Sequence, residues 1–111
     1  MQQAHDFLKE SKLLYELLLE RKESDLELIT QFKNWSIQDV IGHLYLFNVA
    51  AIKTVDGPNS FEDFFVPFLQ QLQKGKTMVE AQVPWLNGLS GKFLLNDWWD
   101  SCLELEEIYS N

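Results

Sequence analysis

His43 is the residue with the most chemical potential in this chain. It lies in Trp35-Ser36-Ile37-Gln38-Asp39-Val40-Ile41-Gly42-His43-Leu44, one turn into a helical pattern that is otherwise apolar: Val40, Ile41, Leu44, Leu46 and Phe47. An imidazole among such neighbours needs a polar partner if it is buried. Three kinds of partner fit: a divalent metal, a proton on a substrate in a pocket, or a backbone carbonyl or carboxylate. The last is the commoner circumstance for a single histidine. Zinc takes three or four N, S or O ligands, and the chain is poor in them. The other histidine, His5, falls in the first turn of an N-terminal helix and is expected to face solvent. HxxxH, HxxxE and CxxC spacings are absent from the sequence. A mononuclear site built from this chain alone needs His43 plus carboxylates or water.

Other candidates lie near the C-terminus. Asp97 and Ser101, and Asp100 and Glu104, are four residues apart and share helix faces. Carboxylates on an acidic surface are usually solvated rather than ligating. Cys102, between Trp99 and Leu103 in the helical pattern, reads as a buried inert thiol, because no histidine or aspartate partner is recognisable beside it. Trp98 and Trp99, with Phe61, Phe64, Phe65 and Phe68, suit an apolar ligand pocket, a core or a subunit interface. Neighbouring tryptophans on a helix point about 100° apart. Both are buried only if that helix is covered on two sides, which favours a partner surface. Glycine-rich phosphate loops, GxSxG elbows and basic-aromatic patches are missing.

The elements that position these residues follow from apolar spacing. Phe7, Leu8, Leu14, Leu17 and Leu18 predict an amphipathic helix over residues 3–22. Glu23-Ser24-Asp25 interrupts it, and Leu26 to Asn34 is a connector with room for a short helical turn. Ser36 predicts the cap of a second helix, with Asp39 completing a capping box and Trp35 stapling against Val40 or Ile41. That helix runs to about Thr54, where Asp56-Gly57-Pro58-Asn59 stops it. It is apolar nearly all round, which places it in the middle of the molecule. Ser60-Phe61-Glu62-Asp63 repeats the cap pattern and opens a third helix, in which Pro67 implies a kink, a break or a fresh start. Gly75 ends it. Thr77-Met78-Val79-Glu80 suits a short turn, Val83 to Gly88 reads as a loop, and the last helix runs from Ser90 or Gly91 to about Tyr109.

The whole is predicted to be a single all-α bundle domain over residues 1–111. Its 111 residues are 46% hydrophobic and 14% aromatic, enough to build a core. A formal charge of −8 argues against nucleic acid and against an anionic membrane surface. One cysteine excludes an internal disulfide and, with no signal-peptide pattern and no apolar run of transmembrane length, the expected compartment is the cytoplasm.

The run from Trp35 to Leu44, followed by Phe47-Asn48-Val49-Ala50-Ala51 and by Asp56-Gly57-Pro58-Asn59-Ser60-Phe61, resembles the N-terminal part of the DinB-like superfamily. The branch it is most similar to is the mycothiol-dependent maleylpyruvate isomerase type. Members read W-S/T-V-x-D-x-x-x-H-L, then an acidic residue and alanines, then D-P-x-x-F. The resemblance covers roughly residues 10–65 well and the remainder loosely. It implies an up-down four-helix bundle that binds zinc or nickel through one histidine of this motif and two ligands of a later helix. Many members are thiol-dependent transferases or isomerases. His43 matches the first metal ligand, and Asn48 stands where an acidic residue is common. Leu94-Leu95-Asn96-Asp97-Trp98-Trp99 is similar to the family's L-L-x-x-W third helix, and by that register the other ligands fall outside the chain. A second register sets Asp97 and Ser101 on the E-x-x-x-H ligand pair, with one ligand shortened and the other lost.

Both registers leave the metal site incomplete in one copy. The first also leaves the second helix with a bare apolar face, worth on the order of 10 kcal/mol at about 25 cal/mol per Å². A homodimer is the expected remedy. The functional expectation is a non-catalytic DinB-like binding or interaction protein with a degenerate metal site. Trp35, His43, Phe47 and Trp99 are expected around a remnant pocket that suits a small apolar ligand. The alternative is a zinc- or nickel-dependent, thiol-dependent transferase or isomerase, with His43 as a ligand and Asp97 or a partner chain completing the shell.

Overall fold

A computed structural model describes residues 2–110 and shows an all-α protein. Five helices follow one another: α1 Gln2–Leu19, α2 Ile37–Asp56, α3 Pro58–Gln73, α4 Met78–Leu86 and α5 Gly91–Ser110. A 3-10 turn, Glu23–Glu27, lies between α1 and α2. The only extended pairing among the described residues is an isolated antiparallel bridge, Ile29 to Ser36, which closes the connector into a short loop.

The start of α2 is as the sequence predicts. Ser36 Oγ accepts from the Asp39 N–H at 2.9 Å, and Asp39 Oδ2 accepts from the Ser36 N–H at 3.0 Å. Two otherwise unpaired donors of the first turn are thereby satisfied. The helix packs against α5 on one side, α3 and α4 on another, and the 3-10 turn at its start, the central place that its all-round apolar character demands.

Three boundaries differ from the sequence reading. α1 ends at Leu19, three residues early, because the chain turns there into the 3-10 segment. α3 starts at Pro58, not Ser60. Proline is well suited to a first helical position, where its missing N–H has no partner to lose, and Gly57 alone links α2 to α3 with φ +126°, a conformation only glycine adopts readily. α3 then passes through Pro67 without a break. α4 is a correction. Val83 to Leu86 is helix, not loop, and Pro84 sits inside it. A second capping box starts α4: Thr77 Oγ1 accepts from the Glu80 N–H at 3.2 Å, and Glu80 Oε1 from the Thr77 N–H at 2.9 Å. Those contacts hold the Glu80 carboxyl below its usual range, since its ionised form is the acceptor, first of the backbone and then of the side chain of Thr77. Asn87, in the left-handed conformation, ends the helix.

The core joins α1, α2, α5 and the 3-10 turn through Leu18, Leu26, Ile41, Leu94, Leu95, Trp98 and Cys102. α1 and α2 both pack on α5. α3 has no fully buried residue and lies at the edge, on the far side of α2 from α1 and α5. The molecule measures 39 × 39 × 22 Å, about two helices thick. Among the described residues no helix is long and apolar enough to cross a membrane.

Candidate functional site

α2 carries His43 on the side that looks toward α3 and α4. The imidazole is half-buried, and its Nδ1 lies 2.8 Å from Oε1 of Gln82 on α4. With the amide carbonyl facing the ring, Nδ1 carries the hydrogen and donates it. Gln82 is itself fully buried. Two aromatic rings complete the enclosure. Trp35 meets the imidazole edge-on with centroids 5.3 Å apart, and Phe47 does so at 4.5 Å. Trp35 also packs on Phe32 at 5.2 Å, so the residue before the cap stacks against the histidine of the first turns of α2.

Below the ring is a cavity of about 20 Å³ lined by His43, Leu46, Phe47 and Ala50 of α2, Phe64, Phe65 and Phe68 of α3, and Gln82. That space holds one water and no ligand of metabolite size. The phenylalanines of α3 form a cluster with Trp85 of α4: Phe61 stacks on Phe65 at 5.1 Å, and Phe68 meets Trp85 edge-on at 5.7 Å. These rings fix α3 and α4 to each other as much as they shape a cavity.

The structure brings Trp35 and Phe47 to His43 but takes Trp99 elsewhere. Trp99 stacks face to face on Tyr15 of α1 at 5.1 Å, and Tyr15 donates to Asn96 Oδ1 at 2.9 Å. Trp98 is buried in the core. The two-sided cover that adjacent tryptophans need is therefore provided within one chain, by Tyr15 of α1 for Trp99 and by the core for Trp98. Asp97 is exposed on α5. Its neighbour is Tyr45, whose phenol is pushed up first by burial and then by the charges of Asp97 and Glu104. Among the described residues no three His, Cys, Asp or Glu side chains are grouped as a metal site. The zinc or nickel implied by the resemblance does not fit the donors around His43. Its one polar neighbour is a neutral amide, and the rest of the enclosure is aromatic or aliphatic.

A second polar cluster lies on the other side of α2. Asn48 Nδ2 donates to Ser101 Oγ at 2.9 Å and to Cys102 Sγ at 3.4 Å, and Ser101 Oγ donates to the Trp98 carbonyl at 2.6 Å. Ser11 of α1 also hydrogen-bonds the thiol. Burial pushes the Cys102 thiol up, against the smaller opposing effect of those hydrogen bonds. No thiolate nucleophile forms there at neutral pH.

Gln82, Asn48 and Ser11 are the polar residues that sequence reasoning did not select for a site. Gln82 lay between a short turn and an expected loop, so it had no helix face to sit on. Asn48 was visible only as a departure from a motif. Comparison with protein-family models, with curated proteins and with solved structures gives no match.

Proposed function

We propose that this chain is a small, non-catalytic helical binding protein of DinB-like descent, with His43 kept as a structural residue at a degenerate metal site. The observation that carries the reading is the His43–Gln82 contact. A ring whose Nδ1 is clasped by a buried neutral amide, between Trp35 and Phe47, is satisfied as a packing element. A general acid or base must reach a substrate proton within hydrogen-bond distance, and about 20 Å³ beside the ring leaves no room for a substrate. The cytoplasm is the compartment in which a single reduced cysteine is at home.

The second reading is a zinc- or nickel-dependent, thiol-dependent transferase or isomerase. One feature favours it: an Nδ1–H held by an amide carbonyl leaves Nε2 as the lone-pair nitrogen, the arrangement by which metal-binding histidines are oriented. Further ligands would then come from a second chain.

Elemental analysis of the purified protein separates the two. The expected outcome is substoichiometric zinc and nickel, and a thermal unfolding midpoint that a chelator does not move. Stoichiometric metal that vanishes in His43→Ala would overturn the first reading in favour of the second.

A further inference from the structure

On the side of α2 away from His43, a hollow of about 240 Å³ lies between α1 and α2, over α5. Leu14 of α1 and Leu44 of α2 are its apolar walls. Trp98 of α5 and Asn48 of α2, only 2% and 8% exposed, form its floor. The exposed Glu10 of α1 stands at its mouth. The space is far larger than one water requires, and a dry cavity of about 150 Å³ already admits a benzene-sized molecule.

Two polar groups of the floor have work left to do. Ser101 Oγ gives its one hydrogen to the Trp98 carbonyl, so toward Asn48 it can only accept. This fixes the Asn48 amide with its NH₂ toward Ser101 and Cys102. Neither Asn48 Oδ1 nor the Trp98 indole N–H has a hydrogen-bond partner among the described residues. Yet no fully enclosed side-chain polar atom is left unpaired among them. Neither atom is therefore sealed in, and each opens onto the hollow that its residue lines. An acceptor from α2 and a donor from α5 face one apolar-walled space.

That pair selects a head group. An ammonium only donates, and leaves the indole N–H without an acceptor. A carboxylate only accepts, leaves Asn48 Oδ1 without a donor, and meets Glu10, which forms no ion pair among the described residues. An uncharged carboxamide or hydroxyl both donates and accepts. We propose that this hollow binds a small uncharged molecule whose apolar body lies between Leu14 and Leu44 and whose carboxamide or hydroxyl head donates to Asn48 Oδ1 and accepts from the Trp98 indole N–H. This deepens the binding-protein reading and rests on it.

The probes are phenylacetamide and 2-phenylethanol, each one ring with an uncharged head, set against phenylacetate and 2-phenylethylammonium. In an NMR titration of the native protein, at least one uncharged probe should saturate with a Kd of about 1 mM or tighter, and both ions should bind at least about tenfold more weakly. The Trp98 indole proton gains an acceptor and should shift along the same saturation curve. The indole proton of Trp35, beside His43, should stay in place. Asn48→Leu removes the acceptor and should weaken binding at least about tenfold. Circular dichroism checks its fold; if it does not fold, the indole signals and the order of the probes on the native protein decide the matter.

Failure of both uncharged probes to saturate by about 10 mM would overturn the proposal. So would an ion that binds as tightly, a Trp98 indole proton that does not move, or undiminished binding to folded Asn48→Leu. Stoichiometric metal at His43 would fail the non-catalytic reading and is measured without any of these probes. Metal-free protein that ignores both uncharged probes would fail this proposal alone.

Discussion

At the residue scale, His43 on α2 and Cys102 on α5 are accommodated in different ways, and each way has a measurable consequence. His43 and Gln82 pair across α2 and α4. Replacing Gln82 by leucine keeps the volume roughly but leaves the Nδ1–H without an acceptor. The expected loss is about 1–3 kcal/mol of unfolding free energy in urea, with an unchanged m-value. An unaltered midpoint would mean water replaces the amide at no cost. Cys102 is 0% exposed, and its thiol is pushed up by burial. Its folded-state pKa lies above the unfolded one. The thiol's contribution to stability is therefore complete below the unfolded thiol range, about pH 8.5, and falls away as pH rises through the folded value. Stability should decline on the alkaline side, and Cys102→Ala should flatten that decline while costing stability at pH 7. In the native protein the thiol should react with a disulfide reagent only as fast as the chain unfolds.

At the element scale, the start of α5 depends on residues far away in sequence. The Gly91 N–H donates to Gln38 Oε1 at 2.8 Å, and the Lys92 N–H donates to Glu23 Oε1 at 3.0 Å. A carboxylate and an amide carbonyl thus take the place of a local cap, and the carboxylate also suits the positive end of the helix. Gly91 has φ +57°, and a Cβ there would run into the Glu23 carboxyl group. Gly91→Ala should therefore cost at least about 1–2 kcal/mol, from backbone conformation alone, with the displaced carboxylate adding to it. Thermal unfolding followed by circular dichroism measures this. A variant as stable as the parent would show that Glu23 has no part in anchoring α5.

At the scale of the whole molecule, the apolar surface left outside the core bears on how the chain behaves in solution. Phe47 and Val55 of α2 are 52% and 54% exposed, so apolar surface remains after the five helices have packed. Such surface is the ground for a homodimer, and sedimentation at micromolar concentration should give a mass near twice the 13.0 kDa of one chain. The mass of a single chain would mean that the helices close on themselves and would overturn the pairing.

The elements whose helical period and caps lie in neighbouring residues could be read from the sequence alone. These are the all-α class, the Ser36–Asp39 start of α2, its central position and the inert setting of Cys102. Each depends on interactions within a turn or two, or on the apolar character of one helix. Tertiary structure decided the rest. α4 was hidden because Pro84 and the glycine after it carry a loop signature, while packing of Trp85 against Phe64 and Phe68 holds the segment helical. With α4 missing, Gln82 had no face, so the partner of His43 could not be named. The two tryptophans of α5 found cover on α1 and in the core through contacts more than eighty residues apart. Such contacts obey no spacing rule along the chain. They exist because burial of large rings and pairing of polar groups are settled in three dimensions, where the lowest free energy is found for the whole molecule and not for each segment.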